Sequence, residues 1–311
     1  MENKNEIILD DFKITTFEPL PAGFDLLTVE QTKLAYYGIP PRPDESKEPK
    51  LRKQWNDIFS KNPKRIIPQF KKTKIKGADG KERTQTFGPY SEHTWGGVVV
   101  EEKNTKYKGV QGSWNFFPDP QNTNTPLADN TSCNVWIGID GKDASGGNGP
   151  LQVITTLAGD PQVKGVWWAW SKNGDGYWIE NFSVNFNDLL SVLICVENST
   201  TAKIHIANMT QNTTTDFTVH ATGEKWIGNC AEWIVENGSI SPEPIADFGA
   251  ITFTNCYAYK QSADLFPPSV DPSTGTVLKM VDIINLAETK TTLPNANTIE
   301  IQYLPQPAII R

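Results

Sequence analysis

The chain has little of what metal and nucleophile chemistry draws on: 3 histidines and 4 cysteines in 311 residues. Cys133, Cys195, Cys230 and Cys256 are widely spaced and form no CxxC pair, so no metal site and no cofactor is expected. Ser-His-Asp and Cys-His catalysis lack support. His93 sits where the sequence pattern changes, while His205 and His220 fall on alternating strand patterns and read as ordinary surface or core histidines. The Asp-Thr/Ser-Gly motifs of the usual aspartic peptidases are absent, and Asn173-Gly174-Asp175-Gly176 lacks the ligand spacing of a calcium loop. No apolar run approaches the roughly 18 residues of a membrane span. A basic excess is missing too: the net charge of −7 and pI near 5.1 argue against a nucleic-acid partner. The opening Met-Glu-Asn-Lys-Asn-Glu-Ile lacks the basic and apolar regions of a signal peptide. Two readings of compartment follow, a chain that stays inside the cell or one whose leader is removed. One or two disulfides are allowed but not needed at this size.

Charge divides what is there. Residues 1–83 carry 17 Lys+Arg against 13 Asp+Glu, and the remainder 12 against 23. The excess concentrates in 47–83, with 13 basic and 4 acidic residues, including Lys71, Lys72, Lys74 and Lys76. A basic arm ahead of an acidic body predicts electrostatic docking of the arm on the body's own cleft; the bland alternative is a solvated linker. The expected division is a basic N-terminal extension of mixed or irregular structure over 1–90 and a body over 91–311. Within the extension, 26–37 and 50–60 are predicted as short helices, the first capped by Thr28 and stopped by Gly38.

From Thr94 the texture changes to short β-branched and aromatic runs punctuated by Gly, Asn and Asp. Examples are Trp95–Val100, Val135–Ile139, Val166–Trp170, Leu189–Glu197, Lys203–Asn208 and Ala250–Ala258. Such spacing predicts an all-β fold, a two-sheet antiparallel β-sandwich with almost no helix.

Two segments carry candidate chemistry. One is Asn134-Val135-Trp136-Ile137-Gly138-Ile139-Asp140-Gly141, followed by a Gly-rich loop and Leu151-Gln152-Val153. The other is Asn229-Cys230-Ala231-Glu232-Trp233-Ile234-Val235-Glu236, whose alternation puts Glu232 and Glu236 on one strand face. A carboxylate among apolar neighbours loses solvation and gains proton affinity, which suits proton transfer. An amide opposite it polarises a carbonyl and holds an oxyanion. Residue types alone leave open a strand with two outward glutamates and no catalysis.

These blocks resemble, in the same order, the glutamic peptidases (eqolisins, peptidase A4-like). The resemblance runs over roughly 94–303 and rests on Trp95-Gly96-Gly97, Trp136–Gly141, Leu151-Gln152, Val166–Trp170 and Ala231-Glu232-Trp233-Ile234-Val235-Glu236. It implies a lectin- or jelly-roll-like double sheet that cleaves peptide bonds in acid without metal. It implies Gln152 and Glu236 as the catalytic pair, and Trp95, Trp136 and Asp140 as residues lining or bracing the substrate cleft. It also implies a removable propeptide, matching the basic extension, and secretion if the chain behaves like the family. This chain departs from the family pattern after the glutamine, at Val153-Ile154-Thr155, and at Ala169, where the family has a pocket carboxylate. Two other readings remain: a non-catalytic lectin-like module binding a sugar or peptide, and a glycoside hydrolase using Glu232 and Glu236. The second is disfavoured, since four residues at ~3.3 Å each separate those carboxylates by about 13 Å along the strand.

Overall fold

The computed structural model describes residues 4–73, 75–76, 82–83, 94–119, 131–142, 149–158, 163–171, 176–223, 225–237, 246–261, 269–282 and 287–305. Two antiparallel sheets pack face to face and do not close into a barrel. The first runs β1 (Lys4–Leu9), β2 (Phe12–Phe17), β15 (Thr213–Ala221), β14 (Thr201–Asn208), β13 (Leu189–Asn198), β8 (Tyr107–Asn115), β17 (Ala250–Lys260), β22 (Thr298–Pro305), β21 (Ala287–Asn295) and β20 (Val281–Asp282). Two short strands join it: β3 (Lys64–Arg65), parallel to β15, and β18 (Ser269–Val270) on β17. The second runs β19 (Thr276–Leu278), β7 (Trp95–Glu101), β16 (Cys230–Glu236), β9 (Ser132–Ile139), β10 (Leu151–Ala158), β11 (Val163–Trp170), β12 (Gly176–Ile179) and β4 (Phe70–Lys72). A separate hairpin pairs β5 (Ile75–Lys76) with β6 (Glu82–Arg83). No helix among the described residues is long and apolar enough to cross a membrane.

Period-two alternation builds the core. Leu190, Val192, Ile194 and Val196 of β13 face Val135, Ile137 and Ile139 of β9 and Ala231, Trp233 and Val235 of β16 in one apolar cluster. Each buried Leu, Ile or Val contributes roughly 1.5–3 kcal/mol by leaving water. Two indoles also stitch the sheets with hydrogen bonds, Trp233 Nε1 to the Gln111 carbonyl (2.8 Å) and Trp114 Nε1 to Thr155 Oγ1 (3.1 Å). β9 and β16 are buried at every residue, so the second sheet is also covered on its outer face. All four cysteines are free thiols.

The extension is mixed in structure, and its described part is woven into both sheets. Phe12 and Ile14 enter the main core, and Phe12 meets Trp168 edge-on at 5.3 Å. Residues 64–65 pair with the first sheet and 70–72 with the second, so the extension spans from one to the other. Helix α1 (Gln31–Tyr36) is shorter than the expected 26–37. Asp25 accepts from the Leu27 N–H and the Thr28 hydroxyl, and Arg42 Nη2 takes the Leu26 and Val29 carbonyls, so a turn replaces the first helical residues. Gly38, at φ 69°, ends it as expected. Helix α2 (Pro49–Phe59) buries Leu51, Trp55, Ile58 and Phe59 toward the outer face of the first sheet. Ion pairs Lys72–Asp10 (2.8 Å) and Lys71–Glu180 (3.3 Å) fasten its basic end. The described residues up to Thr73 thus lie along sheet edges and the outer face of the first sheet; 74–93, apart from the β5–β6 hairpin, lie outside the described residues.

Candidate active site

The outer face of the second sheet carries the sequence-identified pair. Alternation in β16 sends Ala231, Trp233 and Val235 into the sandwich and Cys230, Glu232, Ile234 and Glu236 to the other side. Gln152 shares that side with Ile154 and Thr156 of β10. Gln152 and Glu236 therefore lie on the same face of the same sheet.

Glu236 sits between two tryptophans. Trp95 Nε1 donates to Oε1 at 3.0 Å and Trp136 Nε1 to Oε2 at 3.0 Å. The two rings meet edge to face, with centroids 4.9 Å apart. Among the described residues no Lys, Arg or His pairs with this carboxylate. Burial pushes its pKa up to about 8, against the smaller opposing pull of the two indole N–H groups.

Glu232, two pleats away, is also closed from solvent. The backbone N–H groups of Gly141 (2.7 Å) and Lys142 (3.1 Å) donate to its Oε1, and the Cys230 thiol lies 2.8 Å from the same oxygen. Its Oε2 is buried without a partner. Burial pushes this carboxyl up to about 7, and the neighbouring charge of Asp140 adds to the rise.

Asp140 braces rather than faces the carboxylates. At φ 70°, it accepts from the backbone N–H groups of Ile227 (2.8 Å) and Asn229 (2.7 Å), tying the strand end to the 227–229 turn. Trp95 and Trp136, which the resemblance named as cleft residues, are in direct contact with Glu236.

Strand register sets how Gln152 and Glu236 relate. Gln152 stands opposite Gly138, and Gly138 opposite Glu232; Glu236 stands opposite Asn134, and Asn134 opposite Thr156. Four residues along and two strands across put the Cα atoms of Gln152 and Glu236 roughly 16 Å apart, at ~3.3 Å per residue and ~4.8 Å per strand. Trp136 occupies the ground between. A Cβ on Gly138 would meet its Cζ3 at 3.0 Å, so the indole lies along the strand with one edge beside Gln152 and its N–H on Glu236. The structure thus brings Trp95, Trp136 and Glu236 into contact, and leaves Gln152 on the far side of Trp136. Gln152 is fully buried, with neither its amide nitrogen nor its oxygen partnered, and it stands opposite Ala169 on β11.

Two polar residues escaped sequence reasoning. Thr156 donates to Asn134 Oδ1, receives from Trp167 Nε1 at 2.8 Å, and so holds Asn134 in the row of Glu236. Asn134 Nδ2 is buried and unpartnered. Only its position two before Trp136 hinted at a role, because an asparagine on a strand carries no signal until its register is known.

A comparison with curated protein sequences finds no match. Among solved structures, scytalido-glutamic peptidase with a peptide-based transition-state analogue aligns with a TM-score of 0.55 at 19% identity, covering 68% of this chain and 99% of that one. SCP-B of the eqolisin family, in complex with the tripeptide Ala-Ile-His, gives 0.52 at 17% identity, with 68% and 99% covered. At these identities the likeness is one of fold. Residues 93–303, more than half of the sequence and all the rows just described, match the Peptidase A4 family, and the chain belongs to it.

Proposed function

We propose that this protein is an endopeptidase acting in acid, with Glu236 as the proton-transferring carboxylate and Gln152 as the amide that polarises the scissile carbonyl. The observation that carries this reading is the state of Glu236: buried, held by two indole N–H groups and, among the described residues, without a cation. A structural carboxylate at that depth is normally paired. In the closed site Glu236 holds its proton, the species that protonates a leaving amine. When a peptide and its water enter, the carboxyl is rehydrated, its proton affinity falls, and it ionises to take a proton from the attacking water. Gln152 cannot titrate, and its free N–H groups are available to the oxyanion. Since Gln152 and Trp136 are fully buried, substrate must displace what covers this face and shift Trp136; the roughly 16 Å between the two Cα atoms exceeds the combined reach of the side chains, so this pairing also requires the strands themselves to move.

A second reading rests on the rows. Each carboxylate has an amide in its own row: Asn134 beside Glu236, and Gln152 beside Glu232 across the bare Gly138. On that reading Asn134 supplies the oxyanion donor to Glu236, or Gln152 works with Glu232, whose Oε2 is free. The residues up to Thr73 act as a permanent clasp, as Phe12, Ile14 and Trp55 are core residues; any removable inhibitory part falls in 74–93.

Digestion of a denatured protein at pH 2–6, read by mass spectrometry, tests the proposal with wild type, Glu236→Gln, Glu232→Gln and Gln152→Ala. Cleavage by wild type and Glu232→Gln, lost in the other two, is the expected pattern. Loss in Glu232→Gln and retention in Glu236→Gln would transfer the role to Glu232. No cleavage by folded wild type at any pH would leave the lectin-like binding module.

A further inference from the structure

On the outer face of the first sheet, away from the carboxylates, the extension does not lie flush. A cavity of about 320 Å³ separates it from the sheet, with Ile39, Leu51 and Trp55 on the extension side and Leu193 and His205 on the sheet side. That size is at the lower end of the roughly 300–1,000 Å³ of small-molecule sites. Most of its polar groups satisfy one another: Tyr259 Oη donates to Gln111 Oε1, and Gln111 Nε2 to Gln54 Oε1.

His205 does not fit that pattern. Its side chain, 4% exposed, lines the cavity, and Phe59 packs against its ring at 5.2 Å. Nδ1 lies 2.6 Å from Asp216 Oδ1, while Asp216 Oδ2 receives Arg65 Nη2 at 2.9 Å and Nε at 3.2 Å. Arg65 and His205 thus grip the two oxygens of one carboxylate. With Nδ1–H committed to Asp216, the neutral ring presents Nε2 as a lone-pair acceptor. That nitrogen is buried and has no partner. A buried acceptor left open beside an apolar cavity is what a hydroxyl-bearing ligand completes.

We propose that this cavity binds a neutral, mainly apolar small molecule carrying one hydroxyl, which donates to His205 Nε2 while its apolar body lies against Trp55 and Leu193. One wall is the extension and the floor is the sheet, so the ligand fastens the first to the second. The site is independent of the peptidase reading.

The test uses the full chain with para-propylphenol and para-propylanisole, which share an apolar body but differ in the donor. Calorimetry is expected to show saturable one-site binding of the phenol and about tenfold weaker binding of the anisole, the worth of one hydrogen bond. In His205→Phe the phenol's affinity should drop to that of the anisole. Leu193→Trp fills the cavity and leaves the His205–Asp216–Arg65 pairs intact, so it should abolish binding even if His205→Phe does not fold. Absence of phenol binding, equal affinity for both probes, or wild-type affinity in Leu193→Trp would overturn the proposal.

Discussion

Asp216 and Glu236 are buried to nearly the same depth, 1% and 4% exposed, on the outer faces of opposite sheets. Burial pushes both carboxyls toward the protonated form. At Asp216 the attraction of Arg65, with the hydrogen bonds from His205 and Arg65, outweighs it and holds the group below the usual carboxylate range. At Glu236 two neutral indole donors only moderate it, and the pKa rises to about 8. The fold therefore keeps one carboxylate charged as part of its structure and the other neutral but ready to ionise. The difference lies in the partner, not the depth. Perturbed carboxyls of the second kind gather at functional sites, so the contrast supports the proposal that the Glu236 face is the reactive one.

The contrast can be broken from either side. Glu236→Gln keeps the shape and one of the two indole contacts, since its amide nitrogen cannot accept from the second indole, and should lower kcat for peptide cleavage by about 10³–10⁴-fold, at the upper end of what acid–base groups supply; steady-state assays of folded protein would read it. Unfolding stability of the same variant should stay level or rise near neutral pH. Arg65→Met does the reverse. It strands Asp216 beside His205 and should cost about 3–5 kcal/mol in urea unfolding, as breaking buried pairs does, with the Glu236 face unaltered. Equal stability loss in both variants would erase the distinction. A smaller effect is expected at Asn134, the amide in the row of Glu236. Asn134→Ala should lower kcat more than it raises KM, by about 10²-fold if its free N–H groups meet the oxyanion. A purely structural role would show in melting temperature instead.

What was legible in the sequence depended on how local the cause was. Alternation along a single strand is local, so the sandwich and the shared face of Glu232 and Glu236 could be read from residues 94 onward. Glu236, Trp95 and Trp136 were legible because the family resemblance singled out their blocks; their contact confirms spatial proximity, not a catalytic role. Register is not local. Nothing in Leu151-Gln152-Val153 says that Gln152 stands opposite Gly138 rather than Asn134, and so its separation from Glu236 was hidden. The Arg65–Asp216–His205 cluster joins a two-residue strand in the extension to β14 and β15, 151 positions apart at its widest, and each member looked ordinary alone. The extension's hairpin was masked by its charge. Phe12 and Ile14, whose spacing puts both in the core, stand among Asp10, Asp11 and Lys13, and two apolar residues are too short a pattern to mark a core strand there.

The smallest effect expected is in the pH dependence of stability, where the two carboxylates have opposite signs. Glu236 has an ordinary value of 4.5 and a folded value of about 8, so the folded state binds its proton more tightly than the unfolded chain does. Its contribution is complete below pH 4.5 and is lost as pH rises toward 8. Glu232, up at about 7, adds to the same decline. Asp216, held below its ordinary 3.8, contributes in the other direction: its share is present above that value and is lost only as pH falls below it. Between pH 4.5 and 8, then, Asp216 is silent and the slope comes chiefly from Glu236 and Glu232. Chemical unfolding at intervals across that range should show wild type losing stability with rising pH, and Glu236→Gln losing less. Adding Glu232→Gln should flatten the curve further, while Arg65→Met should displace it downward and steepen it, because burial of Asp216 is then no longer opposed by Arg65. If Glu236→Gln left the slope unchanged, the carboxyl would be ionised in the folded protein at neutral pH, and its neutral, proton-holding state in the closed site would have to be abandoned.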